Sequence, residues 1–214
     1  MDGNSLSYLT CMLGTRYKHL LDRLLNPLAS ALSRWGISPN ALTVAGLALS
    51  SSVCLWFWRT RAVVPFCFAI TATCLLDALD GAVARVSGRV SRFGAYLDAV
   101  CDRYVEAVVI LTTASVTGYW TLSVIVLAGS MLVSYAKARA AMEVAVSNTE
   151  WPDLMERGER DVIFVVGLLL SASVPWAPLG RDLFWWTLVL LAVLIHLTVI
   201  QRIMRARTFM LTRP

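Results

Sequence analysis

Charge is scarce in this chain. Only 15% of its 214 residues are Asp, Glu, Lys or Arg, against about 25% in an ordinary soluble domain. That shortage excludes a water-soluble globule. Two histidines and five cysteines are also few. Cys11, Cys54, Cys67, Cys74 and Cys101 form no C-x-x-C pair and join no histidine cluster, so a zinc or iron–sulfur site is excluded and they read as small apolar fillers. The opening residues M-D-G-N-S lack a basic segment followed by an apolar one, so no signal peptide is expected. No internal repeat or low-complexity tract is present. The net charge of +5 matters less than where the charges fall, and no nucleic-acid partner is expected.

What is abundant is hydrocarbon. Hydrophobic residues make up 57% of the chain, and its mean hydropathy is +0.66. The expected fold class is an all-α membrane protein forming a single domain over residues 1–214. Residues 5–24 are too polar to span. Leu6, Leu9, Leu13 and Tyr17 recur at helical spacing, with Arg16, Lys18, His19 and Arg23 at the later end. This predicts an amphipathic helix on the membrane surface within residues 1–24. A short helix over 26–35 follows, then Ser38 as N-cap and Pro39 in a first turn. Residues 25–214 predict a six-span bundle, with spans near 41–58, 62–84, 94–116, 119–141, 161–176 and 183–203. Trp56-Phe57-Trp58 reads as an interfacial aromatic belt.

The cations orient the bundle. Of the 19 Lys and Arg residues, only Arg59, Arg61 and Arg181 fall on one side, and the other sixteen mark the cytoplasmic face. Six spans then place both termini in the cytoplasm of a multi-pass plasma-membrane protein. The turn between spans two and three faces the cytoplasm too, giving a polar cavity open on that side.

That turn lies within the most unusual stretch, Asp77 to Asp102. Four aspartates sit there at the edge of hydrocarbon, where a carboxylate is costly and has a partner or a task. Their spacing, i, i+3 and then i, i+4, puts each pair on one helical face. Two helices each offering two carboxylates make an oxygen-rich cage for a hard divalent cation. The surrounding arginines suit a phosphate-bearing substrate. A purely structural alternative pairs the aspartates with Arg85, Arg89 or Arg103.

The full spacing is Asp77-x2-Asp80-Gly81-x2-Ala84-Arg85-x8-Gly94-x3-Asp98-x3-Asp102. At each of these eight positions it resembles the signature of the CDP-alcohol phosphotransferase family, whose six-span architecture agrees with the reading above. The resemblance implies that Asp77, Asp80 and Asp98 hold metal, as two Mg2+ or Mn2+ ions. It implies that Asp102 accepts the proton of the attacking alcohol and is a metal ligand as well. It gives Arg85 the donor's phosphates or nucleotide, and Ser91 a contact with the CDP-linked lipid. It puts Asn40 and Thr43, from P-N-A-L-T, on the nucleotide side, although capping and packing at a helix start also account for them. Gly81 and Gly94 remove side chains where nucleotide and helices approach closely. A homodimer embedded among membrane lipids is the implied assembly. Glu106 continues the Asp98–Asp102 stripe and has two readings: orienting Arg103 or a ligand, or forming an intrahelical salt bridge.

The acceptor is read from the remaining cations. Lys137 and Arg139 end span four, Arg157 and Arg160 lie in E-R-G-E-R, and Arg202 follows Gln201. A neutral alcohol needs no such cluster, whereas a phosphorylated one does. In order and spacing these stretches resemble the phosphatidylinositol-phosphate synthase branch of the family, in which they build an inositol-phosphate pocket. Gly158 departs from the proline often found there. The implied reaction joins CDP-diacylglycerol or CDP-archaeol to inositol 1-phosphate and releases CMP. Positive-inside anchoring is the plainer account of the same arginines. Other readings are glycerol-3-phosphate as acceptor, a di-inositol-phosphate synthase, and a cation transporter. The last would place its carboxylates nearer the midplane than one membrane edge.

Overall fold

The computed structural model describes residues 25–144 and 154–212, apart from the side chains of Leu75 and Asp77. The surface helix expected over 5–24 and most of the polar loop after span four lie outside the described residues.

Every described element is helical. α1 covers residues 25–34, and α2 to α7 are Pro39–Thr60, Val63–Val86, Arg92–Thr117, Trp120–Glu143, Arg157–Ser173 and Leu183–Thr212. A 3-10 turn, Pro178–Gly180, precedes α7. Local chemistry sets the ends. Gly36, at φ 76°, lets the Ile37 amide turn back to the Leu32 carbonyl at 3.2 Å and close α1. Ser38 caps α2 by accepting the Ala41 amide at 3.2 Å, with Pro39 as the first helical residue. α6 begins at Arg157 rather than 161 because the Glu159 carboxylate accepts the Glu156 amide at 2.9 Å. It stops at Ser173, since Val174 precedes Pro175 and a residue before proline disfavours the helical region. α7 runs nine residues past its expected end at 203, because no glycine or proline interrupts 183–212.

Among the described residues, four helices are long and apolar enough to cross a membrane: α2, α3, α5 and α7. This is a membrane protein. α4 has the length, at 26 residues, but carries Asp98, Asp102, Arg103 and Glu106, and α6 has only 17 residues.

The chain forms two compact units. The first comprises residues up to Ser51 and Ile70–Val105. Its core is Ala29 from α1 with Leu79, Ala82 and Val83 from α3, flanked by Leu25, Leu32 and Leu42. The i, i+3, i+4 spacing of the α3 residues is one helical face.

The second comprises Ser52–Ala69 and Glu106–Pro214. α5 and α6 both pack on α7. The buried face of α7 is Phe184, Leu188, Leu191, Ile195, Thr198 and Arg202, alternating three and four residues apart. Two glycines admit the close approach. A Cβ on Gly129 of α5 would lie 2.7 Å from Ile195 Cγ2 of α7, and one on Gly167 of α6 would collide with Thr187. Phe57 corrects the aromatic-belt expectation. It is fully buried and stacked on Phe66 at 4.0 Å, while Trp56 and Trp58 stay exposed.

Candidate active site

The signature residues all fall in the first unit. α3 presents Asp77, Asp80, Gly81 and Ala84 at i, i+3, i+4 and i+7, and α4 presents Asp98 and Asp102 one turn apart. Asp80 is only 7% exposed. A buried carboxylate needs donors. Thr43 of α2, itself buried, donates its hydroxyl proton to Asp80 Oδ2. The Thr43 hydroxyl also lies 3.2 Å from the Pro39 carbonyl at the start of α2, and its bond to Asp80 ties that helix to the carboxylate. The charges of Asp102 and Arg85 both bear on Asp80. The Arg85 guanidinium also lies over Gly81, where an added Cβ would sit 3.4 Å from Arg85 Nη1.

A second convergence surrounds Gly94. A Cβ there would stand 3.0 Å from Ser91 Oγ and 3.1 Å from Asn40 Oδ1. Asn40, Ser91 and Gly94, from the start of α2, the connecting turn and the start of α4, therefore meet at one point. Ser91 also caps α4, its hydroxyl oxygen accepting the Gly94 amide at 2.9 Å.

These side chains suit a divalent cation. Asp80 and Asp102 are like charges held within electrostatic reach, an arrangement that a cation relieves. The donor set is carboxylate oxygen, which fits Mg2+ or Mn2+ rather than a thiophilic metal. Among the described residues no closed group of three ligand-type side chains occurs. The fourth carboxylate, Asp77, has its backbone in α3 and its side chain outside the described set.

The acceptor-site candidates fall in the second unit and separate into two kinds. Arg160 and Arg202 belong to the buried faces of α6 and α7, at 5% and 6% exposure. Lys137 is half-buried, at the register that continues Val126, Ser130, Val133 and Ala140 on α5. The contacts of Arg202 and of Arg160 lead to neighbouring residues of α5, Val133 directly and Ser130 by way of Glu106. Arg202 donates to the Val133 carbonyl. Arg160 reaches Glu106 at 3.9 Å, and Glu106 accepts the Ser130 hydroxyl proton. By contrast, Arg139 pairs with Glu143 at 2.6 Å and Arg157 with Asp161 at 3.6 Å, each one turn along its own helix. Glu106 has partners beyond its own helix, since Ser130 and Arg160 stand on α5 and α6. Gln201, adjacent to Arg202, accepts the Leu154 amide at 2.8 Å and fixes the approach to α6. Sequence reasoning did not single out Ser130, whose one signal was being polar within an apolar run.

Residues 36–200 match the model of the CDP-alcohol phosphatidyltransferase family. An archaetidylinositol phosphate synthase of Pyrococcus horikoshii is 34% identical over 195 residues, covering 90% of this chain and 93% of that protein. A phosphatidylinositol phosphate synthase of Mycobacteroides abscessus is 34% identical over 206 residues, covering 92% and 90%. Among solved structures, the Mycobacterium tuberculosis phosphatidylinositol phosphate synthase with CDP-DAG bound has a TM-score of 0.76 at 29% identity, over 87% of this chain and 94% of that one. The same enzyme in complex with manganese and citrate gives a TM-score of 0.75, again at 29% identity, over 86% and 89%. This chain belongs to the CDP-alcohol phosphatidyltransferase family.

Proposed function

We infer that this protein is a phosphatidylinositol-phosphate synthase, acting in phospholipid biosynthesis. It moves a phosphatidyl or archaetidyl group from a CDP-linked lipid to inositol 1-phosphate and releases CMP. The observation that carries this reading is the pair of sites described above. One offers Asp80 and Asp102 within electrostatic reach and, separately, the meeting of Asn40, Ser91 and Gly94, and the other offers the buried cations Arg160 and Arg202 on α6 and α7 with the half-buried Lys137 on α5. The first suits a nucleoside diphosphate and its metal. The second suits a phosphorylated acceptor, which a dianion-binding cluster favours over serine, glycerol or free inositol.

Asp77, Asp80, Asp98 and Asp102 would hold two divalent ions, Mg2+ or Mn2+, which supply Lewis-acid neutralisation of the diphosphate. Thr43 keeps the Asp80 carboxylate oriented. Asn40, Ser91 and Arg85 hold the nucleotide and phosphates of the donor, and Gly81 and Gly94 leave room for them. Lys137, Arg160 and Arg202 take the acceptor's phosphate. Arg139 and Arg157 join them by exchanging carboxylate partners, since a half-exposed i, i+4 pair holds only about 0.3–0.5 kcal/mol. Asp102 accepts the proton of the inositol hydroxyl. The oxygen then attacks the β-phosphorus in line, and the bond to the bridging oxygen breaks as CMP leaves.

The architecture proposed with this chemistry is one domain of six crossings, α4 and α6 joining the four apolar helices, behind an N-terminal surface helix. Both termini and the site face the cytoplasm, as the sixteen-to-three division of cations favours. A homodimer in the plasma membrane is the proposed assembly. The test is an acceptor panel. Purified protein with CDP-diacylglycerol and Mg2+ is offered inositol 1-phosphate, glycerol-3-phosphate, serine and inositol. CMP release is expected with inositol 1-phosphate. A preference for serine or free inositol refutes the phosphate-binding role of the cations, and a preference for glycerol-3-phosphate moves the assignment to phosphatidylglycerol-phosphate synthesis.

A further inference from the structure

We propose that Glu106 and Ser130 form a positioning device that sets the guanidinium of Arg160 for the acceptor's phosphate. The inference rests on the reading of Arg160 as an acceptor contact. Three observations carry it. Glu106 and Ser130 are themselves buried, at 8% and 0% exposure. Ser130 donates to the same oxygen, Glu106 Oε1, that faces Arg160 Nη2 at 3.9 Å. The three residues come from α4, α5 and α6, so a single carboxylate fixes one cation with respect to two other helices.

The energetics argue against a purely structural purpose. A buried ion pair is weak support for a fold, because desolvating both charges offsets most of their attraction, and an apolar replacement is often as stable. Its value lies in orientation. An arginine carries about 2 kcal/mol of rotamer entropy, which is lost at each binding event unless the fork is already held. Glu106 holds it. The carboxylate also offsets the cost of holding the buried Arg160 charge before a phosphate arrives. Ser130 has a matching role. Its hydroxyl pins the carboxylate, which would otherwise rotate toward whichever cation lay nearest. The pocket is thus preorganised by residues that never touch the acceptor.

The experiment compares Glu106→Gln, Ser130→Ala and Arg160→Lys in the full-length protein, with separate kinetics for the two substrates and Mg2+ present. Glu106→Gln keeps the shape and removes the charge. It is expected to raise the KM for inositol 1-phosphate about tenfold, and Ser130→Ala about threefold, with the KM for CDP-diacylglycerol unmoved. Arg160→Lys is expected to raise the acceptor's KM at least as much. If Arg160→Lys raises it while Glu106→Gln and Ser130→Ala do not, the positioning role is overturned and the reading of Arg160 stands. If Arg160→Lys leaves it unchanged, that reading fails and the proposal fails with it. A fall in kcat with both KM values unchanged, or an equal rise in both, marks a general packing effect and also overturns the proposal. Should Glu106→Gln not fold, Ser130→Ala decides by the same comparison.

Discussion

Thr43 donates its hydroxyl proton to Asp80, from the first turns of α2 to the last turns of α3, and both side chains are buried. The bond couples the P-N-A-L-T segment to the aspartate signature, so a residue outside that signature anchors one of the proposed metal ligands. Thr43→Val keeps the shape and deletes the donor. Leaving a buried carboxylate oxygen without its partner costs about 1–3 kcal/mol. Part of that loss should appear as weaker ion binding, because an unanchored carboxylate must be reordered by the metal. The Mg2+ concentration for half-maximal CMP release is expected to rise about tenfold or more, with Thr43→Ser close to the parent. Equal Mg2+ dependence in Thr43→Val and the parent would remove Thr43 from the metal site.

Gly94 separates packing from binding in a single substitution. In the first turn of a helix, replacing glycine by alanine ordinarily stabilises by about 0.5–1 kcal/mol. Here the added methyl would stand 3.0 Å from Ser91 Oγ and 3.1 Å from Asn40 Oδ1. Both polar groups must give way by a few tenths of an ångström. Gly94→Ala is therefore expected to fold with an unchanged or slightly higher thermal midpoint, yet to show a KM for CDP-diacylglycerol raised about tenfold, the equivalent of about 1.4 kcal/mol. A loss of stability without a change in donor KM would make the glycine a packing residue only.

How far the sequence reaches depends on whether a contact repeats along one helix. Arg202 was singled out in the sequence only as a cation suited to a phosphate, and the structure adds the pattern: Phe184, Leu188, Leu191, Ile195 and Thr198 step by four and three residues, and the next step lands on position 202. Lys137 falls on the equivalent register of α5. The helix limits were close wherever a cap or proline marked them, as at Ser38 and Val174. Contacts between helices were not legible. Glu106 invites a partner one turn away because periodicity sees only its own helix, yet Ser130 and Arg160 come from two others. Phe57 lies between two exposed tryptophans in an aromatic cluster, and only its stacking on Phe66 explains why it is buried. Even the five cations proposed for the acceptor looked equivalent until burial divided them. Arg139 and Arg157 spend their charge on neighbours i+4 away, while Arg160 and Arg202 turn into the bundle.

Gly129 tests the packing of the second unit. Its missing side chain lets α5 approach α7, since a Cβ there would lie 2.7 Å from both Ile195 Cγ2 and His196 Cε1. Those atoms belong to packed side chains, so the helices must separate. Overpacking of this kind costs about 1–3 kcal/mol. Gly129→Ala is expected to lower the thermal midpoint in detergent, and Gly129→Leu to lower it further. The effect on the acceptor's KM should follow, because Ser130 and Val133 sit on the displaced helix. A Gly129→Leu protein as stable as the parent would show that α5 and α7 are not held at this distance.

Asp102 has two proposed duties, and one substitution with two measurements separates them. Asp102→Asn retains an oxygen for a metal but cannot accept a proton at neutral pH. General-base assistance is worth about 10²–10⁴-fold, so CMP release should fall by at least about a hundredfold. If Asp102 is also a ligand, the Mg2+ requirement will rise as well. If it acts as base alone, the residual activity will keep the parent's metal dependence. Donor binding, measured directly with CDP-diacylglycerol in the absence of acceptor, should survive in either case. Asn40 and Ser91 meet at Gly94 and stay unchanged in this variant. A chelator should abolish turnover in the parent, and Mg2+ or Mn2+ should restore it. Near-normal CMP release from Asp102→Asn would leave the family membership intact and hand the proton to another acceptor, with Asp98, one turn earlier on α4, as the next carboxylate to replace.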